Sequence, residues 1–95
     1  MKFLVTWRVH DEHRHDVLAA FSAMSEEDDA AQLDGVKLIG RWHDVVSFSG
    51  VAVCEADSTA AVAAWLLNWN EVLDAEITPV LDDEETRVLG RTLED

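Results

Sequence analysis

An α+β fold with the order β-α-β-β-α-β and a further C-terminal helix is predicted by three features of this chain. Residues 2–9 alternate Phe3, Val5, Trp7 and Val9 against Leu4, Thr6 and Arg8, the period-2 pattern of a strand with one strongly apolar face. Residues 37–55, KLIGRWHDVVSFSGVAVCE, hold two alternating, β-branched-rich runs around a short polar link, which makes a hairpin. On either side of that hairpin, apolar residues recur at helical spacing. Ninety-five residues give one domain, 1–95, with no room for a second core.

The elements follow in order. After the first strand, Asp11 stands as a cap, with Glu12 and Asp16 favourably placed near a helix N-terminus. Val17, Leu18, Phe21 and Met24 then mark an amphipathic helix over about 12–24. Ser25 with Asp28 is a variant capping signal for a short acidic helix over 26–33, which Gly35 stops. The acidic run there does not match calcium-loop spacing. The second and third strands are 36–43 and 50–56. Asp57 or Ser58 caps the next helix, whose Val62, Trp65, Leu66 and Trp69 fall at i, i+3, i+4, i+7. The fourth strand, about 73–81, contains Pro79, which cannot donate to a ladder and so belongs at an edge or a bulge. Asp82 and Glu85 form a capping-box-like pair for a third, shorter helix, with Arg87 and Arg91 towards its end.

A helix in each crossover and a central hairpin make the split βαβ, ferredoxin-like arrangement, with the first and third strands central. Both main helices are then expected on one face. Phe3, Val5, Trp7, Val9, Val36, Leu38, Trp42, Val51, Val53 and Ile77 are the more apolar set and are assigned to the helix side. The opposite set holds Thr6, Arg8, Arg41, His43, Cys54 and Glu76 among apolar neighbours. That mixture fits a partly buried face at a dimer interface lining a small cavity. A bulge in any strand inverts its assignments, and parity is weakest at Cys54 and Glu55.

Composition sets further bounds. Twenty Asp and Glu against seven Lys and Arg give a net charge of −13, which repels phosphate backbones and anionic lipid, so neither nucleic acid nor membrane is an expected partner. The single cysteine, Cys54, excludes an internal disulfide and fits a reducing, cytoplasmic setting. Thr6 and Arg8 interrupt the N-terminal apolar run and no small-residue cleavage site follows, so it does not read as a secretion signal.

The strings GRWHD, GVAVCEAD, AAWLLNWN and EITPVLDDEE together resemble a bacterial family of short proteins that is a domain of unknown function. The resemblance covers nearly the whole chain. It implies the dimeric α+β-barrel superfamily, which includes muconolactone isomerases and antibiotic-biosynthesis monooxygenases, and hence a homodimer with two four-stranded sheets facing each other. It implies no reaction.

The residues themselves offer a short set of candidates. Arg8 and Arg41, on one predicted face, either hold a carboxylate or phosphate of a small ligand or pair with Glu76 or Glu55. His43, beside Asp44, is either a general acid or base at a cavity rim or a strand-end histidine. Glu76, Thr6, Trp42 and Glu55 complete the expected ligand-binding set, Trp42 at the cavity mouth. His10, His13 and His15 lack the zinc-helix spacing, so no metal is assigned; nor does any cofactor fingerprint appear. Cys54 reads as an inert buried thiol, and Trp65 and Trp69 as core. Three functions remain open: a homodimer binding a small polar or anionic molecule between its sheets, a cofactor-independent isomerase or monooxygenase using His43, and an interaction module whose sheet face only makes the dimer.

The charge balance predicts a salt response. Self-repulsion among the carboxylates of 26–29 and 82–85 opposes the compact state, and its reach falls from about 8–10 Å at ordinary ionic strength to about 3 Å in molar salt. Melting followed by circular dichroism should give a Tm that rises with sodium chloride, less so when glutamates in 26–29 are replaced by glutamine. A Tm that falls steadily with salt would show that attractive pairs outweigh the repulsion.

Overall fold

The computed structural model describes residues 1–94. Its elements are β1 (Lys2–Val9), a 3-10 turn (Asp11–His13), α1 (Arg14–Ala23), α2 (Glu26–Gln32), β2 (Val36–Asp44), β3 (Ser49–Ala56), α3 (Thr59–Leu66), β4 (Leu73–Val80) and α4 (Asp83–Glu94). The strands form one four-stranded sheet in the order β2-β3-β1-β4, with every neighbouring pair antiparallel. This α+β arrangement is consistent with the ferredoxin-like type. The first crossover carries both α1 and α2. Pro79 lies in β4, which is an edge strand, where its missing N–H breaks no interior ladder. Among the described residues, no helix is long and apolar enough to cross a membrane.

Local chemistry sets most of the boundaries. The Ser25 hydroxyl accepts from the Asp28 N–H at 3.1 Å, and the Asp28 carboxylate accepts from the Ser25 N–H at 3.1 Å, closing a capping box on α2. Asp82 and Glu85 do the same for α4, at 2.8 and 3.1 Å. Ser58, not Asp57, caps α3, accepting from the Ala61 N–H at 3.3 Å. Gly35, at φ +74°, takes the left-handed turn after α2 that a side chain would disfavour. Asp11 does not cap α1. It lies in the 3-10 turn, and its carboxylate pairs with Arg14 at 3.1 Å. The third helix is not the shorter one: at twelve residues α4 is longer than α1, α2 or α3.

The register defines two faces. Phe3 stands opposite Cys54, Val5 opposite Ala52 and Ile77, Trp7 opposite Gly50 and Ala75, and Val9 opposite Leu73. Those rows face the helices, and the buried core is Phe3, Val5, Val36, Ala52, Cys54 and Ala56 of the sheet against Val62 and Trp65 of α3. Two strands therefore depart from the expected assignment. In β3, the small residues Ala52 and Cys54 point inward and the larger Val51 and Val53 outward. Phe3, Val62 and Trp65 already fill the helix side, so volume rather than hydropathy decides there. In β2, the register shifts between Leu38 and Gly40, leaving Ile39 as an extra residue. Beyond that bulge Arg41 pairs with Ala52 and His43 with Gly50 on the helix side, while Trp42 pairs with Val51 on the opposite, open face. Arg8 and Arg41 thus stand on opposite faces, not on one.

Glycine is required where aromatic rings lie flat on the sheet. A Cβ built on Gly50 runs into the Trp7 indole and the Trp42 carbonyl, so Trp7 covers this position only because no side chain is there. Gly50→Ala should destabilise the fold by about 1–3 kcal/mol through overpacking, measured by urea unfolding. Adding Trp7→Leu should recover part of that loss; a neutral Gly50→Ala would show that the indole moves freely.

Candidate functional site

The helix side of the sheet is covered unevenly. At the Phe3–Cys54 end, α3 seals it with Val62 and Trp65. At the Trp7–Val9 end the cover is α1, which buries none of its residues completely. Between them lies a pocket of about 90 Å³, several times the space one water needs. Its walls are predominantly apolar, with five large aromatic rings among aliphatic side chains: Trp7 from β1, Phe21 from α1, Phe48 from the β2–β3 turn, and Trp65 and Trp69 from α3 and the turn after it. Trp69 is fixed by its indole N–H, which donates to Gln32 Oε1 at 2.8 Å and ties α2 to that turn. Phe48 adopts φ 54°, a left-handed conformation unfavourable for a bulky residue. Its carbonyl accepts from the Val9 N–H at 2.9 Å, and its ring meets His15 edge-on at 5.3 Å and lies under the Arg14 guanidinium at 5.4 Å. The strained turn thus holds an aromatic wall across the N-terminal end of α1.

Four charged or titratable groups of β2 and α2 reach this pocket: Asp29, Arg41, His43 and Asp44. Arg41 donates to both oxygens of Asp29 at 3.1 and 2.8 Å and stacks over Phe21 at 4.8 Å. The pair is bidentate and largely shielded, so each charge is already answered. His43 sits between rings, tilted against Phe21 at 4.8 Å and edge-on to Trp7 at 5.6 Å. Burial lowers its pKa below the ordinary 6.5, and the nearby Arg41 charge lowers it further, so the imidazole is neutral at neutral pH. Asp44 does not orient His43. Its Oδ1 accepts from the Val46 and Ser47 N–H groups, both at 3.1 Å, which shapes the turn and holds its carboxyl below the usual range.

Of the residues singled out in the sequence, the fold brings His43 and Arg41 together in this pocket. Thr6, Arg8, Glu55, Glu76 and Trp42 stand instead on the open face, all exposed, with Thr6 directly opposite Glu76. Arg41 pairs with neither Glu55 nor Glu76. The histidines of 10–15 do not converge: His10 meets Asp74 at 3.1 Å and His13 approaches Asp16 at 3.7 Å. Cys54 is fully buried, and burial pushes its thiol pKa up. Asp29, Phe48 and Phe21 were missed as pocket residues. Asp29 has a legible signal, because it lies one helical turn before Leu33, which packs on the core. Phe48 has none, since its placement depends on a left-handed backbone that its residue type disfavours.

Residues 1–94 match the family model described as Domain of unknown function (DUF3303), and the chain belongs to that family. No curated protein matches it.

The depressed His43 pKa carries a pH signature. The folded chain binds this proton less readily than the unfolded chain does, so the contribution is complete above pH 6.5 and is lost as pH falls below it through the lower folded value. Thermal melts between pH 7 and pH 5 should show a falling Tm, and His43→Asn should flatten the slope in that window. Asp44 and Asp82, held below 3.8, give up their contributions only in more acidic solution, which separates the two effects. An unchanged slope in His43→Asn would assign the transition to another group.

Proposed function

We propose that this DUF3303 protein binds a small, flat, largely apolar molecule carrying one hydrogen-bonding group, in the pocket between the sheet and α1. The observation that supports this most is the division of labour among the polar groups. Arg41 is neutralised by Asp29, while His43 has no side-chain hydrogen-bond partner among the described residues and stays uncharged. The carboxylates of Asp29 and Asp44 outnumber the single guanidinium at the pocket. An anionic ligand would therefore meet a net negative site on a chain of net charge −13, and a neutral ligand fits better than the polar or anionic one suggested by the sequence. His43 supplies one donor or acceptor according to its tautomer, and the rings supply the contact area.

A neutral imidazole facing a pocket is also the state a general base needs, which is the observation in favour of an isomerase- or monooxygenase-like reaction. Against it, no free cation among the described residues stands beside His43 to steady an enolate-like oxygen, because Asp29 occupies the Arg41 fork. Binding is the better supported reading.

The protein acts as a homodimer in this proposal, joined through the open sheet face. That face exposes Trp42 and Ile39 and leaves Leu4, Val51, Val53 and Val80 half-buried beside charged neighbours. It is too apolar for a face made only for water and too charged for a core. A reducing compartment such as the cytoplasm suits the unpaired Cys54.

Phenol and benzoate, similar in shape but different in charge at pH 7, test the pocket. Phenol should raise the Tm and quench tryptophan emission at lower concentration than benzoate does. His43→Ala should weaken phenol binding roughly five-fold, the worth of about one neutral hydrogen bond. Benzoate binding more tightly than phenol would reinstate an anion site, and no response to either at millimolar concentration would remove the pocket as a ligand site.

A further inference from the structure

We propose that α4 is an arm that packs onto a second copy of this chain, its apolar stripe and the open sheet face forming one self-complementary interface. The proposal rests on the dimer reading above and assigns a part in it to a helix the pocket does not use.

The helix is amphipathic and uncovered. Leu81 in the link before it and Val88, Leu89 and Leu93 along one side are apolar, while Asp83, Glu84, Arg87, Arg91 and Glu94 fall on the other side. The apolar residues are 53%, 49%, 51% and 80% exposed. An isolated helix of this length is marginal in water and takes most of its stability from packing of its apolar face. Here the ion pairs to the rest of the chain are at the N-terminal end, where Lys2 Nζ meets Asp82 Oδ2 and Glu85 Oε1, both at 3.2 Å.

Those same ion pairs say which way the stripe faces. Glu85 lies within its arc, one turn before Val88 and Leu89. Lys2 stands on the open face, opposite Val80 and Glu55. The stripe therefore continues the open face beyond the end of β4, and a partner that covers Val80 and Leu4 also meets Leu81, Val88 and Leu89.

Area and charge favour a second copy as that partner. The chain exposes 6487 Å², whereas a compact monomer of its mass exposes about 5,500 Å². The excess, roughly 1,000 Å², matches the ~800 Å² each partner gives to a standard interface. The radius of gyration is 15.4 Å, with extents of 53 × 26 × 18 Å, against about 12–13 Å for a compact chain of this length. Three of the seven Lys and Arg (Lys2, Arg8 and Lys37) lie on the open face, against Glu55, Asp74 and Glu76, so this is the surface on which two chains of −13 repel each other least. An anionic lipid surface is disfavoured by the same net charge.

Sedimentation over a range of concentrations, with the wild type beside Leu89→Glu/Leu93→Glu, tests this. The wild type should give twice the chain mass at micromolar concentration, and the double variant should dissociate at least ten-fold more readily while still binding phenol in its pocket. Hydrogen exchange covers the case where the variant misfolds: wild-type amides of 83–94 should be protected in the dimer and exchange rapidly on dilution. A wild-type dimer whose α4 exchanges as a free helix, or a variant that dimerises like the wild type, would overturn the arm and leave the dimer standing. A wild type that is monomeric throughout would overturn both.

Discussion

One irregularity in hydrogen-bond register organises the site. Ile39 is inserted in β2 between Leu38 and Gly40, and every residue after it changes face. Without that insertion Arg41 and His43 would lie on the open face and Trp42 would point at the helices. With it, a cation and an imidazole enter an aromatic pocket, and a large indole is placed on the surface a partner could cover. The bulge sits where glycine permits it. Gly40 leaves the space over which the Trp42 ring lies, as Gly50 does for Trp7 on the other side. Two glycines in adjacent strands thus let two tryptophans lie down on opposite faces of one hairpin.

The pocket exists because the helix side is packed by volume in one half and not in the other. Ala52, Cys54 and Ala56 are small, and with Phe3 beside them and Val62 and Trp65 of α3 over them they form one buried cluster. Farther along the same face the Trp7 indole lies over Gly50, and α1 brings Val17, Leu18 and Phe21 only part of the way in. Polar contacts supplement the modest apolar cover there. Arg41 holds α2 through Asp29, and Gln32 holds it to Trp69. The pocket and the loosely sealed helices are two consequences of one packing choice, since a fully buried α1 would leave no pocket.

What was legible in the sequence was local. Ser25 with Asp28, Ser58 before α3, Asp82 with Glu85, Gly35 and Pro79 each announce a boundary through chemistry confined to a few residues, and each stands where that chemistry puts it. Val62 and Trp65 are core because helical spacing needs no knowledge of the partner. Face assignment in β2 and β3 was not legible, because it depends on a bulge and on volumes supplied by other strands. His43 and Arg41 were picked out by residue type and reached the pocket by the parity change, whereas Thr6, Arg8, Glu55, Glu76 and Trp42 remained on the other face. The extent of α4 was missed for a related reason. Its charge order fixes the start, but nothing local limits a helix that leaves the body of the protein.

Electrostatics then divide the molecule's tasks between its faces. The helix side carries the acidic surplus of 26–29, and within the pocket Asp29 cancels Arg41, so the pocket is left to dispersion and one neutral ring. The open face carries Lys2, Arg8 and Lys37 against Glu55, Asp74 and Glu76, in register and close to balance. Repulsion between two such chains is therefore weakest where apolar area is most exposed. A partly buried pair like Arg41–Asp29 adds little net stability compared with apolar groups of the same shape, and breaking it would leave a shielded charge without its partner. Its value here is positional: it sets α2 beside the sheet and keeps the guanidinium flat on Phe21, so that one wall of the pocket is fixed by an interaction which also removes the charge an anion would seek.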